Sequence, residues 1–140
     1  MKKLRDNAIM PFRGSSSAAG FDLFSAIEEA VDINPGDTVF IPTGLSMEIP
    51  EGYFGGIYAR SGLSCKEGLR PANCVGVLDS DYRGELMVAL HNDSDVTRTV
   101  AVGQKIAQLV IMPYLAVDFS EVDELCDTDR GAGGFGSTGK

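Results

Sequence analysis

Residues 35–49 read Pro-Gly-Asp-Thr-Val-Phe-Ile-Pro-Thr-Gly-Leu-Ser-Met-Glu-Ile, and this stretch carries the clearest strand signals of the chain. Its first half contains the β-branched and aromatic run Thr38-Val39-Phe40-Ile41, bounded on both sides by turn-forming residues. In its second half apolar and polar residues alternate, so Leu45, Met47 and Ile49 are predicted to share one face. Both halves therefore predict short β-strands.

Further strand signals lie outside this stretch. The segments Glu85–Leu90 and Ile106–Met112 are more continuously apolar, which is typical of strands buried on both faces. A long helical stripe is absent from the sequence, and the best helix candidate is a short one over Ser61–Glu67 with Ser61 as its N-cap. Many short strands separated by turn signals predict an all-β barrel or sandwich.

The composition limits the range of functions. A chain of 140 residues fits a single domain, and it contains no apolar run of the length that a membrane-spanning helix needs. The basic N-terminus is not followed by an apolar stretch, so we expect no secretion signal. The net charge of −8 disfavours nucleic acid and anionic membranes as partners, although a few local arginines can still bind a small polyanion.

The cysteines and the histidine further limit the kinds of site that the chain can contain. Three cysteines without a C-x-x-C spacing do not predict a disulfide framework, so we expect a reducing, cytoplasmic setting. A zinc site of the usual cysteine and histidine kind is poorly supported by a single histidine, His91. Because His91 lies in an apolar strand segment, we expect it to be structural rather than part of a nucleophilic dyad.

The segment Gly76–Gly84 reads Gly-Val-Leu-Asp-Ser-Asp-Tyr-Arg-Gly and resembles a hairpin with carboxylates at its bend. In one interpretation the aspartates only form the turn, which is their commonest role in isolation. In the other, Asp79 is a general base that activates water, because a rigid hairpin can hold a carboxylate within hydrogen-bonding reach of a nucleophile.

Two other segments could bind phosphate. Arg60-Ser61-Gly62 could hold an anion through the guanidinium group and main-chain N–H groups, or could simply begin a helix. Residues 127–140 are too rich in glycine for a regular element, so we expect a mobile arm. Arg130 and Phe135 within the arm suggest that it does more than link, because a plain linker has little need of either residue.

Two motifs place polar residues among apolar ones. In Ala19–Ala26 the apolar positions are typical of a core, and Asp22 is either a turn residue or a residue close to a metal. In Gly103–Val110, Gln108 stands in an apolar strand segment and needs a hydrogen-bond partner if it is buried. A bound phosphate or a neighbouring main-chain group would supply one.

Taken in order, these segments resemble the five motifs of the trimeric dUTPase family and span nearly the whole chain. The matching stretches are AGFDLFSA at 19–26, ARSGLS at 59–64, GVLDSDYRGEL at 76–86, GQKIAQL at 103–109 and RGAGGFGSTG at 130–139. The resemblance implies a jelly-roll-like β-barrel over residues 1–126, assembled as a homotrimer. It also implies that the arm, residues 127–140, completes an active site of another subunit.

The resemblance further implies hydrolysis of dUTP to dUMP and pyrophosphate, with Asp79 activating the water that attacks the α-phosphorus. Asn73, Gly76 and Val77 would read uracil largely through main-chain groups, and Tyr82 would stack under the deoxyribose. Mg²⁺ would be carried mainly by the triphosphate, with Asp22 nearby through water. The residues implied to hold or enclose the phosphates and the base are Arg60, Ser61, Gly62, Gln108, Arg130, Phe135, Gly136, Ser137 and Thr138.

Two other functions have to be distinguished from this one. A dCTP deaminase on the same fold needs an acid/base glutamate at the base pocket and a different arginine-serine signature. That signature is not found here, and the glycine-rich arm favours a dUTPase. A non-catalytic nucleotide-binding protein of the same fold would have no need of an intact Asp79 and a complete glycine-rich arm. Consumption of dCTP with release of ammonia, or binding of dUTP without turnover, would reveal these alternatives.

Overall fold

The computed structural model describes residues 1–136, and within them the chain is built almost entirely from β-strands. A single short π-helix, Leu63–Glu67, interrupts the strand order. No helix within residues 1–136 is long and apolar enough to cross a membrane. The strands are β1 (Lys2–Lys3), β2 (Phe21–Phe24), β3 (Val31–Ile33), β4 (Thr38–Pro42), β5 (Leu45–Ser46), β6 (Tyr53–Tyr58), β7 (Leu69–Pro71), β8 (Val75–Leu78), β9 (Met87–Asn92), β10 (Arg98–Val100) and β11 (Lys105–Pro113).

The strands form four antiparallel sheets. The largest has the order β2-β11-β6-β8, and a second has the order β4-β9-β7. Two small sheets pair β1 with β5 and β3 with β10. The all-β prediction is therefore confirmed, but across residues 1–136 the strands form open sheets rather than a closed barrel.

One hydrophobic cluster joins the two larger sheets. Leu23 and Leu109 come from the first sheet and Ile41 and Leu90 from the second, and all four are at most 2% exposed. Burying a leucine or isoleucine side chain contributes about 1.5–3 kcal/mol, so this cluster is the main source of stability. The alternation predicted for Leu45, Met47 and Ile49 is confirmed in direction, because all three face the core, although strand β5 itself covers only Leu45–Ser46.

Buried polar groups tie the loops to this core. The Asn92 side chain is fully buried, and its amide donates hydrogen bonds to the carbonyls of Ile33 and Val96, each at 2.8 Å. Its carbonyl oxygen accepts from the N–H and the hydroxyl of Ser94. Because all these groups are satisfied, Asn92 links β3, β9 and the following turn without the desolvation cost of an unpaired amide.

Three local predictions are wrong. The segment Gly76–Gly84 does not close a paired hairpin, because β8 pairs with β6 whereas β9 pairs with β4 and β7. Strands β9 and β11 are not buried on both faces. In β9 Met87 is exposed and Ala89 and His91 are only half-buried, because alternate side chains point away from the core, and in β11 Ile111 is exposed.

The third wrong prediction concerns the cap of the short helix. Its predicted extent over residues 61–67 is confirmed, because Ser61 and Gly62 are helical and the π-helix follows them. No side chain caps the N-terminus of the π-helix, so the exposed Ser61 does not have the predicted capping role. The helix ends at Gly68, whose φ of 72° places it in the left-handed region that glycine adopts without strain.

Candidate active site

A cavity of about 340 Å³ lies between the end of β8 and the outer face of β4 and β9. Five of the residues singled out from the sequence line it: Asn73, Gly76, Val77, Asp79 and Tyr82. The opposite wall is apolar and includes Phe40, Met87 and Ala89. Sequence reasoning missed this wall, because an outward-facing apolar residue on a strand is common and does not by itself indicate a site.

Asp79 follows the last residue of β8 and is exposed to solvent at the cavity. Its main-chain carbonyl accepts a hydrogen bond from the N–H of Tyr82 at 3.2 Å, which closes the turn after the strand. Across residues 1–136, no ion pair or hydrogen bond engages its carboxylate. The carboxylate is therefore available to accept a proton from a water molecule in the cavity.

Tyr82 lies against the backbone of Gly84. Its hydroxyl donates a hydrogen bond to the carbonyl of Glu85 at 3.1 Å, and the residue is 46% exposed. A Cβ added at Gly84 would lie 2.3 Å from the tyrosine oxygen, so only glycine leaves room for the ring there. The bend after Asp79 thus places an aromatic residue in the wall of the cavity.

The turn between β7 and β8 carries Asn73 and Cys74. The N–H of Val75 donates to the Asn73 carbonyl at 2.6 Å, and Cys74 adopts a φ of 62°, which is unusual for a residue other than glycine. A Cβ at Gly76 would lie 3.3 Å from the Asn73 amide nitrogen, so the Asn73 side chain packs directly over this glycine. Gly76 is therefore buried, whereas Asn73 and Val77 are exposed at the cavity.

A second polar cluster surrounds Asp22, whose side chain is only 8% exposed. Arg60 Nε lies 3.1 Å from one carboxylate oxygen, and Lys105 Nζ lies 2.8 Å from the other. Gln108 pairs with Asp22 across β2 and β11 and is itself half-buried. Two cations around one carboxylate leave a net positive charge, which suits binding of an anion.

Lys105 received no role from the sequence beyond its place in the fourth motif. Its ammonium group also lies 5.0 Å from the Phe12 ring centroid and 5.8 Å from that of Phe24, within cation–π range. The ion pair between Asp22 and Lys105 could not be predicted from the sequence, because these two residues come together only through the pairing of β2 with β11.

The structure does not bring the cavity and the Asp22 cluster together within one chain. Strands β11 and β6 lie between them in the sheet: Asp22 on β2 pairs with Gln108, Gln108 pairs with Tyr58, and Tyr58 pairs with Val75 on β8. Three strand spacings place Asp22 and Val75 about 14 Å apart across the sheet. The predicted base-binding and phosphate-binding residues therefore form two separate half-sites.

The C-terminal segment runs on from β11 without strand or helix over residues 114–136. Hydrogen bonds of residues 115–136 stay within the segment, as in the bond of 2.9 Å from Arg130 to the Gly133 carbonyl. Phe135 is fully exposed, and Gly136 has a φ of 89°. Neither Arg130 nor Phe135 lines the cavity of its own chain. Ser137 and Thr138 lie outside the described residues.

The fold and the site together define an antiparallel β-sheet protein with a carboxylate at a cavity and a separate cationic half-site. A family model described as dUTPase matches residues 6–139. Proteins described as deoxyuridine 5'-triphosphate nucleotidohydrolase are similar over their full lengths. That of Hydrogenobaculum sp. is 47% identical over 99% of this chain and 96% of its own, and that of Nautilia profundicola is 49% identical over 100% and 97%. The chain belongs to the dUTPase family.

Solved structures agree with this assignment. A mutant dUTPase of Staphylococcus bacteriophage 80alpha with dUpNHpp superposes with a TM-score of 0.90 at 32% identity, covering 99% of this chain and 96% of its own. A mutant dUTPase from phage phi11 of S. aureus, whose structure reveals the coordination of a structural Mg(II) ion, has a TM-score of 0.78 at 32% identity. The superposition covers 88% of this chain and 95% of the phage phi11 protein.

Proposed function

We propose that this protein hydrolyses dUTP to dUMP and pyrophosphate, a reaction that keeps uracil out of DNA and supplies dUMP for dTMP synthesis. The observation that carries the proposal is the cavity in which the unpaired carboxylate of Asp79 stands beside Tyr82 and the Asn73 turn. Relatives that match this chain along its whole length are described as deoxyuridine 5'-triphosphate nucleotidohydrolase, which supports the same substrate. We place the reaction in the cytoplasm.

In the proposed reaction, Asp79 accepts a proton from water as the water oxygen attacks the α-phosphorus. The new bond joins that oxygen to the α-phosphorus, and the bond from the α-phosphorus to the bridging oxygen breaks. Pyrophosphate leaves with the electron pair of the broken bond. A carboxylate suits this task because it has an oxygen free to receive the proton.

Base and sugar are selected at the same cavity. Asn73 and the main chain of Gly76 and Val77 would bind uracil, because buried main-chain donors and acceptors reject a base that leaves them unpaired. Tyr82 would lie under the deoxyribose and occupy the space of a ribose 2′-hydroxyl. The limited room above the turn would exclude the 5-methyl group of thymine.

The triphosphate would be held by the cationic half-site. Arg60 supplies a guanidinium group, Ser61 and Gly62 supply exposed groups next to it, and Gln108 supplies an amide. Arg130 would reach the terminal phosphate. Phe135, Gly136, Ser137 and Thr138 would close over the base and the phosphates.

Mg²⁺ fits this arrangement as an ion carried by the substrate. Over residues 1–136 no group of three carboxylate, histidine or cysteine side chains could hold a metal ion. Both oxygens of Asp22 are already occupied by ion pairs, so Asp22 would act through water rather than by direct ligation. When bound, Mg²⁺ would offset the negative charge of the phosphates while keeping several of its own waters.

We further propose a homotrimer of jelly-roll-like subunits in which residues 127–140 complete an active site of another subunit. The position of the two half-sites at opposite edges of one sheet supports this arrangement, because a neighbouring subunit could bring a cationic half-site to each cavity. The exposed apolar side chains of Leu115, Val117 and Phe119 also support it, because such residues are usually covered in an assembly.

Mixing two inactive variants tests the shared site. One variant carries Asp79→Asn, and the other ends after Asp129. If the arm acts on another subunit, co-refolded mixtures should recover part of the activity, because some sites combine an intact Asp79 with an intact arm. Mixtures as inactive as the separate variants, although mixed trimers form, would contradict an arm that acts in trans.

The proposed activity is tested by phosphate release from dUTP in the presence of inorganic pyrophosphatase. We expect turnover of dUTP and little turnover of UTP or dTTP. Ammonia released from dCTP would indicate a deaminase instead. Binding of dUTP without pyrophosphate release would indicate a non-catalytic nucleotide-binding protein.

A further inference from the structure

The N-terminal segment is tied to the bend that carries Tyr82. Arg5 makes a two-pronged ion pair with Glu85, with Nε 3.0 Å from Oε1 and Nη2 3.1 Å from Oε2. The same Oε1 accepts the main-chain N–H of Gly44 at 2.8 Å. The Glu85 carboxylate raises the pKa of Arg5 above its ordinary value, mainly through their side-chain hydrogen bond.

Glu85 is also the residue that holds Tyr82. Its main-chain carbonyl accepts a hydrogen bond from the tyrosine hydroxyl, and Glu85 is one of the residues that line the cavity. A displacement of Glu85 would therefore shift the acceptor that fixes the far end of the ring. Arg5 and Glu85 are 80 positions apart in the chain. Through Glu85, Arg5 is connected to Tyr82 in the cavity wall.

The residues around Gly44 complete the support. The N–H of Leu86 donates to the Leu45 carbonyl at 2.7 Å, and the Thr43 hydroxyl donates to the Leu86 carbonyl at 2.6 Å. Gly44 has a φ of 67°, and a Cβ there would lie 2.7 Å from Ala8 Cβ. The chain is thus packed tightly on both sides of the Glu85 carboxylate.

Strand β1 covers this turn from outside. Lys2 and Lys3 pair with Ser46 and Leu45, and the N–H of Leu4 donates to the Gly44 carbonyl at 2.7 Å. The position of Arg5 is therefore set by a paired strand rather than by a loose terminus. Its guanidinium group links this segment to Glu85, one of the cavity-lining residues.

We propose that Arg5 is a positioning residue for sugar selection, acting through Glu85 on the placement of Tyr82. This inference rests on the proposed function, in which Tyr82 rejects a 2′-hydroxyl. The Arg5–Glu85 pair draws Glu85 towards β1, and the Glu85 carbonyl then holds the ring over Gly84. When the ion pair is lost, the Tyr82 ring moves more freely, and the discrimination between dUTP and UTP becomes weaker.

The test compares kcat/KM for dUTP and UTP in a set of variants. Arg5→Met removes the guanidinium group but keeps the aliphatic stem, and Glu85→Gln keeps an acceptor for Gly44 while removing the charge. Each should lower the dUTP/UTP ratio by about two- to fivefold, the range expected for losing one exposed ion pair. The double variant should lower it no further than either single change, because both remove the same interaction.

Lys3→Met is the matched control. It removes the same charge from the neighbouring part of the same segment, and the Lys3 side chain has no ion-pair partner among residues 1–136. This variant should leave the ratio unchanged. A general loss of folded protein would lower both activities together and would also leave the ratio unchanged.

The Tyr82→Ala background separates positioning from other roles. If Arg5 acts through Tyr82, adding Arg5→Met to Tyr82→Ala should not change the dUTP/UTP ratio any further. An unchanged ratio in Arg5→Met, when Tyr82→Ala alone lowers it, would overturn the inference. So would an equal fall in the ratio with Lys3→Met, or an additive effect in the Tyr82→Ala background. Failure of the proposed function is distinct, because the unaltered protein would then not turn over dUTP.

Discussion

Replacing Gly84 with alanine tests the placement of Tyr82 without removing the tyrosine. The new Cβ would lie 2.3 Å from the tyrosine oxygen and 2.5 Å from Cζ, far inside any permitted contact. These atoms are the far end of a flexible side chain, so the ring should swing away rather than force the backbone to move. Gly84 has no positive φ, so alanine fits the backbone there without strain.

The expected change in stability is small because two effects oppose each other. The displaced ring loses its hydrogen bond to Glu85, which contributes about 0.5–1.5 kcal/mol. Alanine restricts the unfolded chain more than glycine does, which contributes about 0.4–1 kcal/mol in the other direction. The melting temperature should therefore change by no more than about 3 °C in a chain of this size.

Selectivity should change much more than stability. Steric rejection of one extra group contributes about 1–3 kcal/mol, so the dUTP/UTP ratio of kcat/KM should fall about tenfold or more in Gly84→Ala. The assay is phosphate release with each nucleotide, alongside a thermal melt. Gly14→Ala is the control, because a Cβ there meets no atom within 4 Å. A Gly84→Ala protein with an unchanged ratio would refute the role of the Tyr82 ring.

Three other changes give distinct outcomes. Asp79→Asn should still bind dUTP but lower kcat about 100-fold or more in the phosphate-release assay, and near-normal turnover would remove Asp79 as the base. Ending the chain after Asp129 should leave the melting temperature nearly unchanged, because no strand is lost, while turnover falls sharply; a lost fold would show the arm to be structural. Asn92→Ala should lower the free energy of unfolding by about 2–4 kcal/mol in urea titrations, because the carbonyls of Ile33 and Val96 lose buried donors. A loss below about 1 kcal/mol would mean that these carbonyls find other partners.

Local patterns predicted local structure well. The β-branched run at 38–41 lies within β4, and the alternation after Gly44 correctly assigned the core-facing side chains. In both cases neighbouring residues along the chain carry the signal, because strand periodicity and turn chemistry depend only on short stretches. The residues around Asp79, which the family resemblance groups at one site, line one cavity, and their roles remain predictions.

Features that depend on distant pairing could not be predicted. The strand that follows Asp79 was expected to pair with the strand before it, but the two join different sheets. The ion pairs of Asp22 with Lys105 and of Arg5 with Glu85 link residues about eighty positions apart, and no sequence pattern predicts them. The separation of the two half-sites likewise follows from the strand order β2-β11-β6-β8, which the sequence alone does not reveal.

The most direct test of the proposed reaction is hydrolysis of dUTP in water enriched in oxygen-18, with the products separated and weighed by mass spectrometry. Water attack on the α-phosphorus predicts one labelled oxygen in dUMP and none in pyrophosphate. Label found in pyrophosphate would place the attack on the β-phosphorus, and absence of dUMP would contradict the proposed activity altogether.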